Sequence, residues 1–275
     1  MTVVSSGPWV DITVAGRPVR VEHAWIDGPA DGAHDAPLLV FLHEGLGSVA
    51  MWKDFPQRLC AAAGVRGLVY SRPGYGQSTP REANESWGPD FMHQQAQQVL
   101  PALLQALDVN VQKHPPWLFG HSDGGSIALL YAATQAVAGC VVVAPHIFVE
   151  DLSVASIRLA KQAYAEGPLR EGLARYHAEP DSAFHGWNGA WLNPAFRAWN
   201  IESDISTIRC PVLAVQGVDD EYGTLAQIRG IQGRVSHTQL LELPHCGHSP
   251  HRDQPQALMD ATAAFISAHA SLQNH

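Results

Sequence analysis

The sequence has little of what nucleic-acid-binding, membrane and secreted proteins need. Its formal net charge is −9 and no basic cluster occurs, which argues against nucleic acid or an anionic membrane as a partner. No apolar run approaches the roughly 20 residues of a membrane-spanning helix. The first residues lack the charged start and apolar stretch of a signal peptide. We therefore expect a cytoplasmic protein.

Patterns for disulfides, metals and phosphates are equally scarce. The four cysteines are widely scattered, which predicts free thiols rather than a disulfide framework or a zinc site. There are fifteen histidines, but no H-E-x-x-H spacing, so we expect no metal ion. The motif G-K-[ST] is missing, and Gly74-Tyr75-Gly76 is too short for a dinucleotide fingerprint. We expect no cofactor.

What is present is an alternation of short apolar runs and helical stretches. A hairpin is predicted first, and the runs after it suit strands covered on both faces. The predicted strands are 10–14, 19–25, 38–42, 68–70, 117–119, 141–143, 212–215 and 240–243. The predicted helices between and after them are 52–63, 91–107, 125–137 and 254–270. This order predicts an α/β fold with a doubly wound, mostly parallel sheet in a single domain, residues 1–275.

One segment, residues 146–206, interrupts the alternation. It is helical in parts, over 154–165 and 169–176, and then becomes rich in large aromatic residues. An insertion above the carboxyl edge of an open sheet lies where ligands bind. We therefore expect a helical lid whose aromatic residues, Trp187, Trp191 and Trp199 among them, line a substrate pocket. The alternative is that these rings only pack the lid onto the domain.

The most informative motif is Gly120-His121-Ser122-Asp123-Gly124, which lies between a predicted strand and a predicted helix. This is the setting of a nucleophile elbow, in which a serine projects from a turn too tight for ordinary side chains. The N-terminus of the following helix offers backbone N–H groups to a developing oxyanion. Ser122 is therefore the candidate nucleophile.

A serine nucleophile needs a base, and the base needs an acid to orient it. In this architecture the chain order is serine, acid, histidine. Asp220, at the end of strand 212–215, is the preferred acid, and His248, after the last strand, is the preferred base. The open alternatives are Asp219, Glu150 and Asp151 for the acid, and His245 and His251 for the base.

Two backbone N–H donors are expected in the oxyanion hole: that of Asp123, and that of Gly45 in the turn after strand 38–42. Glu44, in the same turn, either places a carboxylate at the pocket wall, which would favour polar or cationic substrates, or points into a hydrogen-bonded turn. His146, after strand 141–143, is expected at the same strand-end face and is a further candidate pocket residue.

Together these motifs resemble the α/β-hydrolase superfamily along nearly the whole chain. The matching segments are 43–47, 71–76, 120–125, 217–220 and 247–248. The resemblance implies an eight-stranded sheet with a lid between strands six and seven. It also implies Ser122 as nucleophile, Asp220 as acid and His248 as base. Two residues depart from the pattern, since Glu44 replaces the first glycine of the turn and Asp123 stands where an apolar residue is common.

The function expected from these residues is a serine hydrolase that cleaves a small carboxylic ester through an acyl-enzyme intermediate. Its partner is a small-molecule substrate, and the protein is expected to be a monomer or homodimer. Hydrolysis of a C–C bond or a lactone on the same residues is the nearest alternative. Meta-cleavage hydrolases resemble this scaffold but typically carry a tryptophan where Ser249 stands. A cofactor-free oxygenase and a non-catalytic binder of the same fold also remain open.

Overall fold

The carboxyl ends of six neighbouring parallel strands build the edge on which the candidate residues lie. In the computed structural model, which describes residues 9–28 and 36–270, eight strands form a sheet of order β1-β2-β4-β3-β5-β6-β7-β8. They are β1 (Trp9–Val14), β2 (Arg17–Ile26), β3 (Leu38–Leu42), β4 (Arg66–Tyr70), β5 (Trp117–His121), β6 (Gly139–Val143), β7 (Val212–Gly217) and β8 (Thr238–Leu243). Strand β2 pairs antiparallel with β1 and with β4, and all other neighbours are parallel. The predicted mostly parallel, eight-stranded sheet is confirmed.

Eleven α-helices occur within the same described residues. They are α1 (Phe55–Ala63), α2 (Phe91–Gln94), α3 (Leu100–Ala106), α4 (Asp123–Ala132), α5 (Asp151–Glu166), α6 (Leu169–Leu173), α7 (Pro180–Trp191), α8 (Glu202–Ile205), α9 (Ala226–Arg234), α10 (Pro250–Asp253) and α11 (Pro255–Ala270). Residues 1–8, on which the signal-peptide expectation depends, lie outside the described part of the chain. Among residues 9–28 and 36–270, none of the helices combines the length and the apolar character that a membrane span requires.

The sheet separates two hydrophobic cores because successive side chains of a strand point to opposite faces. Val40 and Leu42 of β3 belong to the core that also contains α3 and α4. Leu39 and Phe41 of the same strand belong to the opposite core, with α1 and α11. All five residues of β3, β5 and β6 are buried, as the continuous apolar runs predict.

Three predicted helices differ from the observed ones. The helix expected over 125–137 is observed as α4, Asp123–Ala132. The other two differ for local reasons. The helix expected from Trp52 begins only at Phe55, because a 3₁₀ turn ends at Trp52 and Lys53 has a φ of +54°. The helix expected over 91–107 contains a π-helical turn, Gln95–Val99. Pro101, just after that turn, has no N–H to donate to the carbonyl of residue 97, and a wider turn accommodates this loss.

Between β6 and β7 the chain forms helices α5 to α8 and a 3₁₀ turn, Pro194–Ala198. An isolated antiparallel bridge between Phe148 and Asn200 joins the beginning and the end of the segment. It covers the carboxyl ends of the central strands, and Trp187 and Trp191 of α7 reach down to the cavity above Ser122. This placement brings the longest insertion in the fold next to the candidate site.

Candidate active site

Ser122 occupies the sharp turn between β5 and α4, and its backbone is strained. Its φ is +53° and its ψ is −120°, a conformation that a residue other than glycine rarely adopts. A Cβ atom at Gly120 would lie 2.3 Å from the carbonyl oxygen of Gly124, and one at Gly124 would lie 2.1 Å from that of Leu42. Only glycine therefore fits on either side of the serine, which explains the G-x-S-x-G spacing.

Three predicted residues form one continuous hydrogen-bonded chain. The hydroxyl Oγ of Ser122 lies 2.9 Å from Nε2 of His248. On the other side of the ring, Nδ1 of His248 lies 2.9 and 3.0 Å from the two carboxylate oxygens of Asp220. An Nδ1–H that donates to Asp220 leaves Nε2 free to accept the serine proton. The three side chains come from loops after β5, β7 and β8, in the order that the sequence predicts.

The carboxylate of Asp220 is fixed by three further donors. The backbone N–H groups of Tyr222 and Gly223 donate to Oδ1 at 2.8 and 3.2 Å, and Nε2 of Gln216 donates to Oδ2 at 3.2 Å. Burial raises the pKa of Asp220, but the hydrogen bond and charge of His248 outweigh burial and hold the pKa below its usual value. The group therefore stays ionised beside the histidine.

The alternative acids and bases lie elsewhere. Asp219 is exposed to solvent, and Glu150 binds Thr224 and Gln227 on the far side of the β7 loop. His251 is buried against Trp52, with ring centroids 5.2 Å apart. Asp151 and His245 are exposed. Of the candidate acids and bases, the structure brings Asp220 and His248 to the serine.

The two proposed N–H donors flank the serine. Gly45 lies so close under Trp187 that a Cβ atom on it would be 2.1 Å from the indole nitrogen. Asp123 opens α4, where the first N–H groups have no partner within the helix. Both residues line the cavity that contains Ser122.

The side chain of Asp123 is fully buried and accepts a hydrogen bond from the indole N–H of Trp191 at 3.1 Å. Burial raises its pKa, although the charge of Arg72 acts in the opposite direction. The contact with Trp191 links the residue after the nucleophile to helix α7.

Glu44 places its carboxylate at the cavity wall. Its oxygens lie 3.6 Å from Nδ1 of His121 and 3.6 Å from a guanidinium nitrogen of Arg252. The other ring nitrogen of His121 donates to the backbone carbonyl of His248 at 2.7 Å. Burial raises the pKa of Glu44, but the contact with His121 more than offsets it, and the pKa is well below its usual value. Glu44 therefore lines the cavity, and its carboxylate also lies over Gly47 of the same turn.

A cavity of about 250 Å³ lies above Ser122. Eight of its eighteen lining residues are apolar or aromatic: Leu46, Met51, Ile157, Leu169, Leu173, Trp187, Trp191 and Tyr222. Nine of the others are polar or charged, and Glu44, Asp123, Glu221 and Arg252 are among them. His146 also lines it and packs edge-on against Trp191, with ring centroids 4.8 Å apart. Burial lowers the pKa of His146 to about 3, so this ring is neutral. The wall is suited to a small ligand that has both apolar and polar groups.

Trp199 is a correction to the predicted pocket. It is not among the residues that line the cavity, and it stacks on Phe196 instead, with ring centroids 5.2 Å apart. The reason is that the 3₁₀ turn before it directs both rings into the core under the segment rather than toward the serine. Trp199 therefore packs the segment onto the domain, which was the alternative interpretation of these rings.

Sequence reasoning missed Tyr222 and Arg252. The ring of Tyr222 lies 4.7 Å from that of His248, and both residues line the cavity. Tyr222 stands two residues after Asp220, so its place in the acid loop was the available signal. Arg252 contacts Glu44 only because α10 returns to the site after β8, and no local pattern shows this. In the described part of the chain, no cluster of three or more histidine, cysteine or acidic residues could hold a metal ion.

Comparison with known proteins shows the family of the chain. The profile of the Alpha/beta hydrolase family matches residues 39–261. The chain belongs to this family. A search of curated proteins found no match.

Similar solved structures include a thermophilic esterase from Thermogutta terrifontis, with 19% identity and a TM-score of 0.71, which covers 96% of this chain and 99% of that one. An enol-lactonase from Burkholderia xenovorans LB400 has 20% identity, a TM-score of 0.69 and coverage of 94% and 100%. A meta-cleavage product hydrolase from Pseudomonas fluorescens IP01 has 16% identity, a TM-score of 0.67 and coverage of 94% and 97%. At these identities the likeness establishes the fold, and the family supports a hydrolase.

Proposed function

We propose that the protein is a serine hydrolase that cleaves small carboxylic esters through an acyl-enzyme intermediate on Ser122. The observation that carries this proposal is the hydrogen-bonded chain from Ser122 through His248 to Asp220, on a strained elbow under a small cavity. Such a chain activates a hydroxyl that is otherwise a weak nucleophile.

In the first half of the reaction, Nε2 of His248 takes the proton of Ser122 as Oγ attacks the ester carbonyl carbon. The carbonyl oxygen becomes an oxyanion, to which the backbone N–H groups of Gly45 and Asp123 donate. As the intermediate collapses, the bond to the alcohol oxygen breaks and the imidazolium gives its proton to the leaving alcohol. Asp220 stays ionised and stabilises the imidazolium.

In the second half, His248 takes a proton from water, and the hydroxide adds to the acyl carbon. The tetrahedral intermediate then breaks its bond to Ser122 Oγ, and His248 returns the proton to the serine. The products are a carboxylic acid and an alcohol, and no cofactor takes part.

The size of the cavity supports a small substrate. A volume of about 250 Å³ is below the roughly 300–1,000 Å³ of typical ligand pockets. Residues 146–206 act as a lid in this proposal, since Trp187 and Trp191 line the cavity that contains the serine. Short acyl and alcohol groups are therefore preferred over long chains.

A lactone is the second candidate substrate, because it is an internal ester that the same steps would open. The similarity to an enol-lactonase at a TM-score of 0.69, beside 0.71 for an esterase, favours keeping it. Ring opening releases no separate alcohol, so the two candidates differ in their products.

The test is release of p-nitrophenol from acetate, butyrate and octanoate esters, together with opening of a small lactone. We expect the acetate and butyrate esters to be cleaved fastest and Ser122→Ala to abolish turnover. Ser203→Ala, at an exposed serine on α8, is the matched control and should behave as wild type. Near wild-type turnover by folded Ser122→Ala would contradict the proposal, and preference for the lactone would select the second candidate.

A further inference from the structure

The backbone carbonyl of Glu44 is held by three donors at once. A terminal guanidinium nitrogen (Nη2) of Arg72 donates to it at 2.8 Å, Nδ1 of His43 at 2.7 Å, and the backbone N–H of Gly47 at 3.1 Å. Arg72 and His43 are both fully buried. A carbonyl oxygen that accepts from three donors has little freedom to rotate.

The protonation of His43 is fixed by the same contacts. Its Nε2 accepts the backbone N–H of Arg72 at 3.0 Å and the side-chain Nε–H at 3.4 Å, so Nε2 carries no proton. The proton is therefore on Nδ1, where it points at the carbonyl of Glu44. Burial, together with the charge of Arg72, holds the pKa of His43 well below its usual value, so the ring stays neutral.

This arrangement has a consequence for Gly45. The carbonyl of Glu44 and the N–H of Gly45 belong to one planar trans peptide, in which the two groups point in opposite directions. Because the carbonyl is drawn inward to Arg72, the N–H faces the other way, toward the cavity that Gly45 lines. Three donors on the carbonyl also polarise the peptide and strengthen its N–H as a donor.

We propose that Arg72 is a positioning residue that aims the Gly45 N–H at the oxyanion by holding the Glu44 carbonyl. This inference rests on the proposed function, because it gives the Gly45 N–H the role of oxyanion donor. Arg72 touches no reacting atom itself.

The surroundings of Arg72 explain why a buried guanidinium is tolerated there. Its carbon Cζ lies 4.7 Å from the ring centroid of Tyr75, a cation–π distance. Its charge acts on the buried carboxyl of Asp123, whose pKa it lowers against the effect of burial. Asp123 therefore interacts electrostatically with the residue that orients one N–H donor, while its own backbone supplies the other. Arg72 thus interacts with both residues that depart from the family pattern. It donates to the backbone carbonyl of Glu44 and acts electrostatically on the side chain of Asp123.

The test compares Arg72→Met and Arg72→Lys with wild type. Two inhibitors distinguish positioning of the donor from general damage. Ser122 Oγ adds to the carbonyl carbon of a trifluoromethyl ketone and forms a hemiketal oxyanion. The matching methyl ketone binds mainly as a ground-state analogue. The matched control is Arg66→Lys. Arg66 is the first residue of β4, and its Cζ lies 5.6 Å from the ring centroid of Trp25.

For Arg72→Met we expect kcat on the acetate ester to fall at least 10-fold, with KM within about threefold, since loss of one oxyanion donor costs about 10²–10³ in kcat. The inhibition constant of the trifluoromethyl ketone should rise by the same factor as kcat falls, and that of the methyl ketone should not change. Arg72→Lys, which keeps the charge and one donor, should lie between Met and wild type. Arg66→Lys should leave all four quantities unchanged.

Two results would overturn the inference: kcat of both variants within twofold of wild type, or equal weakening of both ketones. If Arg72→Met does not fold, as judged by circular dichroism, the same criteria apply to Arg72→Lys. A wild type that cleaves no ester contradicts the proposed function, and the inference with it. A wild type that is active while the variants are unaffected contradicts the inference alone.

Discussion

Replacing Asp220 by asparagine should almost abolish activity while leaving the shape of the site intact. An asparagine Oδ1 can keep the two backbone donors of Tyr222 and Gly223 that Asp220 Oδ1 now accepts. The amide nitrogen then takes the place of Oδ2, which lies 3.0 Å from Nδ1 of His248 and 3.2 Å from Nε2 of Gln216.

The amide N–H₂ at that position is a donor where a proton acceptor is needed. It faces the donor nitrogen of Gln216. Oδ1 also lies 2.9 Å from Nδ1 of His248, but two backbone N–H groups already donate to it. We therefore expect the amide to donate to Nδ1 and the proton of the ring to move to Nε2. A protonated Nε2 cannot accept the proton of Ser122. In serine proteases with a Ser-His-Asp triad, this change lowers kcat about 10⁴-fold. By transition-state arithmetic that is about 5.4 kcal/mol, which we expect here.

The assay is kcat on p-nitrophenyl acetate for Asp220→Asn and for the neighbouring control Asp219→Asn. Asp219 is exposed, so its variant should remain within about twofold of wild type. Circular dichroism and thermal unfolding establish that both variants are folded. Equal rates for the two variants would refute the assignment of Asp220 as the acid and the tautomer argument that depends on it.

Two further predictions test the oxyanion turn and the buried histidines. Gly45→Ala should lower kcat and cost about 1–3 kcal/mol of stability, because its Cβ would lie 2.1 Å from the Trp187 indole. The control is Gly189→Ala, on the same helix as Trp187 with open space around it, which should lower neither kcat nor stability. If both variants lost similar amounts of kcat and of the free energy of unfolding measured in urea, this reasoning would be refuted. Burial, with the charge of His121, lowers the pKa of His251 from 6.5 to about 3, so as the pH falls the unfolded chain binds this proton before the native state does. Native stability should therefore be full above pH 6.5 and decrease toward pH 3 by up to about 1.4 kcal/mol per pH unit. His251→Phe should make this slope shallower in urea titrations, and an unchanged slope would contradict the cause given.

Much of the fold could be predicted from local patterns. Strands buried on both faces read as continuous apolar runs, and the alternation with helices predicts the parallel sheet. The glycines around Ser122 mark a turn that no other residue fits, and this restriction is visible in sequence. The positions of Asp220 and His248 follow from the order of strands, because each lies just beyond a strand end.

The rest depends on contacts between distant residues. The sequence predicts only that Arg72 is part of a turn. The folded chain shows that it donates to the carbonyl of Glu44, 28 residues earlier. In sequence, Trp199 does not differ from Trp187 and Trp191, which lie in the same aromatic-rich segment. The turn before it nevertheless directs its ring onto Phe196. The π-helical turn near Pro101 was likewise missed, because apolar spacing does not distinguish it from a regular helix.

The central claim is that Ser122 carries the acyl group during turnover. The most direct measurement is mass spectrometry of the protein quenched in acid during steady-state hydrolysis of p-nitrophenyl acetate, followed by peptide mapping. The account predicts one acetyl group per chain, located on Ser122 and absent from Ser122→Ala. An acetyl group on another residue of an active enzyme, or turnover with no acylated species under burst conditions, would contradict it.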